Sequence, residues 1–108
     1  MYLFKAEYTD EALEQYENLD LENQVKILGA ISIFEQIGTA YKNINTLGDG
    51  LFEIKPKGVR AYFRYHNKKI IIVGFITLKK TQKAPKRYIE QANTNIDNHI
   101  KKENKNEE

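Results

Sequence analysis

The sequence predicts an α+β domain of order strand, helix, helix, strand, strand, strand, helix, with an antiparallel sheet packed on a helical hairpin and a last helix. Three observations carry this. Apolar and polar residues alternate near the start and again over residues 51–65, the period-two signature of half-buried strands. Between these stretches, residues 12–37 repeat apolar side chains at three-to-four spacing. Residues 70–76 then form an apolar run bounded by turn residues, as a strand buried on both faces requires.

In chain order, Tyr2, Phe4 and Ala6 alternate with Leu3, Lys5 and Glu7, which predicts a first strand ending near Tyr8. Thr9 caps a helix whose first turns carry Asp10, Glu11 and Glu14, where negative charge suits the positive end of the helix dipole. Asp20 caps a second helix with apolar residues from Leu21 to Ile37, and Gly38 ends it. The short join over residues 18–21 makes the two an antiparallel hairpin. Gly48, Asp49 and Gly50 form a turn before a strand. Phe52 and Ile54 then face opposite to Leu51, Glu53 and Lys55, and Val59, Ala61, Phe63 and Tyr65 opposite to Arg60, Tyr62 and Arg64. Pro56, Lys57 and Gly58 supply one turn, and His66, Asn67 and Lys68 the next. Pro85 precedes a last helix with a stripe of Ile89, Ala92, Ile96 and Ile100. Residues 1–100 are expected to form one domain, and 101–108 a charged, disordered tail.

With 108 residues there is room for one core. No stretch approaches the roughly 18 apolar residues of a membrane span, no leader-like segment opens the chain, and cysteine is absent. These features fit a soluble cytoplasmic protein. The net charge of +2 hides an asymmetry: residues 1–50 hold three lysines against nine acids, whereas residues 51–100 hold eleven lysines and arginines against three. A cationic half of this kind attracts a polyanion, nucleic acid being the natural candidate, although scattered solvated lysines would give the same count.

Strand alternation is expected to bring Glu53, Lys55, Arg60, Tyr62 and Arg64 out on the sheet face away from the helices. There, cations would hold phosphates and a tyrosine would stack on an unpaired base, as single-stranded RNA requires. The competing structural reading is a cross-strand Glu53–Arg60 ion pair with Tyr62 covering the sheet. No metal-site spacing is visible on any short element, and neither His66 nor His99 sits where a positioned acid or base is expected. The one serine, Ser32, lies within a predicted helix, so no nucleophile set is indicated, and the glycines do not form a phosphate loop. What remains is lysine and arginine chemistry on phosphate. RNA can be cut by its own 2′-hydroxyl if the extra charge of the pentavalent phosphate is stabilised and protons are moved. Arg60 has the forked geometry for the first task, and a lysine among cations has its pKa lowered toward the second.

The segments LGDGLFEIKPKGVRAYFRY, IIIVGF and LKKTQKAPKRYIEQA, over residues 47–93, resemble the RelE/ParE toxin superfamily and specifically its HigB-like, phage-derived branch. The resemblance implies a RelE-like fold and a type II toxin that cleaves mRNA on the translating ribosome without a cofactor. It also implies a cognate antitoxin as partner, of the helix-turn-helix, HigA-like kind, which would cover the positive face in a salt-sensitive association. By position it implies Lys55, Arg60, Lys79 and Lys80 as catalytic residues, with Lys57, Tyr62, Arg64, Thr81, Gln82 and Lys83 contacting RNA. Glu53 stands where RelE carries a basic residue but is similar to the HigB-like branch. Ile76, Thr77 and Leu78 lengthen the usual gap before the lysine pair. Two other readings share the fold: a ParE-like toxin that inhibits DNA gyrase, and a phage protein that only binds RNA.

Overall fold

The computed structural model describes residues 2–80 and 82–106. Its elements are β1 (Lys5–Tyr8), α1 (Asp10–Glu17), α2 (Leu21–Ile37), a 3-10 turn (Gly38–Ala40), β2 (Ile44–Gly48), β3 (Leu51–Ile54), β4 (Val59–His66), β5 (Ile70–Leu78) and α3 (Lys86–Asn106). The strands form one sheet of order β1-β5-β4-β3-β2. β2 through β5 run as an antiparallel meander, and β1 joins the far side parallel to β5, with Lys5 opposite Ile70 and Tyr8 opposite Val73.

The caps act as their residue types predict, with one exception. The Thr9 hydroxyl accepts from the Ala12 amide at 3.1 Å. Asp20 occupies the N-cap of α2 but accepts from the Asn23 side chain at 2.6 Å instead of from the backbone. Gly38 ends α2 at φ +60°, where a Cβ would lie 3.0 Å from the Phe4 ring.

On one sheet face, Ala12, Ile27, Ile31 and Phe34 of α1 and α2 bury Ile54, Val59, Ala61, Phe63, Ile71 and Val73. Phe34 meets Phe63 with ring centroids 5.1 Å apart and Phe4 at 5.4 Å. The outer side of α2 leaves Leu21, Val25 and Leu28 exposed at i, i+4 and i+7.

The opposite face departs from expectation. α3 lies across it, and Ala92 and Ile96 close over Leu51, Tyr62 and Ile72 in a second core. The apolar stripe of α3 was readable, but its docking site is set by Gly74. A bulge between β4 and β5 leaves Gly74 as the extra residue, since Tyr62 pairs with Phe75 and Phe63 with Val73. A Cβ on Gly74 would lie 2.6 Å from Ile96 Cγ1 and 2.7 Å from the Ala92 carbonyl, so glycine is what lets the helix approach. The Gly74 carbonyl, released from the ladder, accepts from the buried Asn95 side chain of α3 at 2.9 Å. Gly74→Ala is expected to destabilise the fold by about 1–3 kcal/mol through overpacking, read as a lower denaturant midpoint. Unchanged stability would mean that α3 is not seated there.

Three further expectations need correction. A fifth strand, β2, was not foreseen, because Ile44–Gly48 is an edge strand with a mostly exposed, polar sequence. The first strand begins only at Lys5, since the Leu3 and Phe4 amides both donate to the Glu35 carbonyl at the end of α2. Residues 101–106 are helical, not a disordered tail: α3 continues to Asn106, and Lys102 Nζ donates to Asp10 Oδ2 at 2.8 Å.

Burial pushes the Tyr8 phenol up to about 12, with the Glu35 and Tyr16 charges adding to it. Because its folded-state pKa is raised, this tyrosine contributes stability that is complete below about pH 10 and is lost as pH rises through about 12. An alkaline titration followed by phenolate absorbance should show the Tyr8 phenol ionising late, together with the onset of unfolding.

Candidate RNA-binding pocket

The segment leaving β5 crosses over the end of β4 before α3 begins, and the Lys79 amide donates to the Gly58 carbonyl at 3.0 Å to hold that crossing. Beneath it lies Arg60, only 3% exposed. Its Nη2 donates to the Gln82 carbonyl at 3.2 Å, and its Nε lies 3.7 Å from Glu53 Oε2. Asn45 Nδ2 donates to the other Glu53 oxygen at 3.3 Å. A buried arginine with a buried carboxylate beside it is the cross-strand pair that the sequence allowed as its structural reading.

Arg60 and Tyr62 form the floor of a pocket of about 190 Å³ whose rim includes Lys80, Arg87 and Tyr88. Tyr62, Phe75 and Tyr88 make a file of rings, with centroids 5.8 Å and 4.9 Å apart. The Arg87 guanidinium carbon sits 5.0 Å from the centre of the Tyr88 ring. Burial pushes the Tyr62 phenol up. The neighbouring Arg60 guanidinium opposes this and the Glu53 carboxylate adds to it. On the other side of the crossing segment, Asn45, Glu53, Gln82, Lys83 and Ile89 line a second hollow of about 250 Å³. A larger cavity of about 330 Å³ lies between α1 and α3, but Asp10 and Glu11 line it with Lys102, a poor setting for a polyanion.

The structure therefore sorts the residues anticipated from sequence. Arg60 and Lys80 share one pocket. Lys55, Lys57 and Lys79 are exposed outside it, near the β3–β4 turn and the end of β5. Gln82 and Lys83 are exposed on the crossing segment, and Thr81 lies outside the described residues. Tyr62 is fully buried, so the open stacking surface expected of it is corrected: its ring packs on Phe75 beneath α3. Arg64 is tied to the roof of the sheet: its guanidinium donates to Asn93 at 3.2 Å and to Asp97 at 2.9 Å, both on α3. Sequence reasoning missed Arg87 and Tyr88. Their signal was a basic–aromatic pair two residues after Pro85, at the helix end where an anion is also favoured by the backbone dipole.

No curated protein sequence matches this chain. Among solved structures, the toxin-antitoxin complex RelBE2 from Mycobacterium tuberculosis contains a chain that superposes with a TM-score of 0.53 at 16% identity, over 73% of this chain and 94% of that one. At that identity the likeness speaks for the fold, which is RelE-like. The family model described as Phage derived protein Gp49-like (DUF891) matches residues 14–97, from within α1 to within α3 and through the whole pocket. The chain belongs to the phage-derived, Gp49-like family.

Proposed function

We propose that this protein is the toxin of a type II toxin-antitoxin system and acts as a metal-independent endoribonuclease on mRNA at the ribosome. The observation that carries the reading is the convergence of Arg60, Lys80 and Arg87 on one small pocket with aromatic walls. A phosphodiester seated there meets a preorganised guanidinium at the floor and cations at the rim, and the half-buried Tyr88 ring offers a surface for a base. The 2′-hydroxyl of the RNA loses its proton and bonds to the adjacent phosphorus as the bond to the 5′-oxygen breaks, leaving a 2′,3′-cyclic phosphate and a protonated 5′-hydroxyl end. Arg60 and Arg87 neutralise the charge that builds on the phosphate, and Lys80 is the proton-transferring side chain at the rim. Lys55, Lys57, Lys79 and Lys83 extend the positive surface along the RNA on both sides, with Gln82 on the segment between. The RelBE2 complex pairs a protein of this fold with an antitoxin, which supports an antitoxin partner here. For this chain we assign a helix-turn-helix, HigA-like one. Acidic residues of that partner would meet the cationic rim, and the exposed Leu21, Val25 and Leu28 of α2 offer it an apolar contact.

The test is to add purified protein to a translating extract and map mRNA ends, with a gyrase supercoiling assay in parallel. Ribosome-dependent cuts are the expected result. Supercoiling inhibition without cuts would establish the ParE-like activity instead, and RNA retention with neither would leave a binding protein.

A further inference from the structure

At the other end of α3, four side chains from three separate elements meet on the sheet face that the helix covers. Glu7 comes from β1, His66 from the last position of β4, and His99 and Glu103 from α3, one turn apart. His99 Nε2 lies 3.2 Å from Glu7 Oε1 and 3.2 Å from Glu103 Oε1, and the ligand atoms of these three all fall within 4.8 Å of one another. His66 Nε2 lies 3.8 Å from the second Glu103 oxygen. We propose that Glu7, His99 and Glu103, with His66 as the fourth donor, form a structural site for a tetrahedral divalent transition metal of the zinc type.

Donor chemistry and spacing both point this way. Two imidazole nitrogens with two carboxylates make a borderline donor set, suited to Zn²⁺ or Co²⁺, whereas Mg²⁺ and Ca²⁺ call for oxygen ligands throughout. With metal–ligand bonds of about 2.0–2.1 Å, the edge of a regular tetrahedron is about 3.3 Å, close to the separations that His99 already keeps from both carboxylates. His99 and Glu103 are at i, i+4, so one helix face presents both without backbone change. The two carboxylates also face each other. Their ligand oxygens lie within 4.8 Å of each other, leaving room for one cation between them. All four side chains are between 21% and 37% exposed, sheltered enough to order the ligands and open enough for an ion to enter.

The site is a fastener and not a catalytic centre. His99 is eleven positions beyond Tyr88, about 17 Å along the helix axis from the pocket. A metal there would pin the far half of α3 to β1 and β4, and so fix the helix whose first turn carries Arg87 and Tyr88. This inference does not depend on the RNA reading.

The experiment uses the full chain, freed of metal by a chelator and desalted, and follows thermal unfolding with ZnCl₂ or MgCl₂. Zinc in excess should raise the melting temperature by at least about 5 °C and magnesium should not. CoCl₂ should give the intense visible absorption of a tetrahedral Co²⁺ complex. His99→Gln and Glu103→Gln should each abolish both signals, and His66→Gln should weaken zinc binding at least about tenfold. Glu103→Gln keeps the side-chain shape on the outer side of the cluster, so it reports even if His99→Gln unfolds. No shift with zinc, or a shift that persists unchanged in Glu103→Gln, overturns the proposal.

Discussion

Arg60→Ala is expected to lower stability by about 3–5 kcal/mol, because it leaves the Glu53 carboxylate buried without its cation. The two side chains are 3% and 4% exposed, so water cannot take over the pairing. That loss alone would hide any catalytic role. A double replacement, Glu53→Leu with Arg60→Met, removes both charges and fills similar volume, and it should recover much of the stability. RNA cleavage should not return with it, since the guanidinium at the pocket floor is still missing. Denaturant midpoints with cleavage assays on the same samples check both halves. Full cleavage by a folded double variant would show that Arg60 serves the fold alone.

The second large effect is expected at the rim. Lys80→Ala together with Arg87→Ala should reduce the rate of mRNA cleavage by about 10²-fold or more, since each removes a cation facing the developing phosphate charge. Both residues are exposed, and stability should stay within about 0.5 kcal/mol of the parent. Single-turnover cleavage beside thermal melting separates the two quantities. An undiminished rate would remove the pocket from consideration as the reaction site, whatever the activity of the protein proves to be.

Much of this architecture was legible from local pattern. Thr9, Gly38 and the turn around Gly58 punctuate the chain where their backbone preferences require it, and alternation assigned residues 51–54 and 59–65 to their observed faces, while His66, expected in a turn, is the last residue of β4. What alternation could not convey is what covers each face. Arg60, Tyr62 and Arg64 were correctly set on the side away from α1 and α2, yet that side is roofed by α3, which docks through the missing side chain of Gly74. A single glycine in an apolar run carries little information until its neighbours in space are known. The same roof explains why Arg64 binds Asp97 and Asn93, and why the pocket draws on Arg87 and Tyr88 at the start of α3. The Glu7, His66, His99 and Glu103 cluster was invisible for a related reason: its members span almost the whole chain, and only the His99–Glu103 spacing is local.

The parallel seam between β1 and β5 also governs when this molecule can exist during its own synthesis. Its earliest strand has no neighbour until residues 70–78 have been translated, and the last roof of the sheet arrives with the final quarter of the chain. A nascent product interrupted before that point has an open, unroofed layer and lacks Arg87. A chain cut before residue 86 would therefore leave Leu51, Tyr62 and Ile72 uncovered, and should expose apolar surface that the folded protein hides.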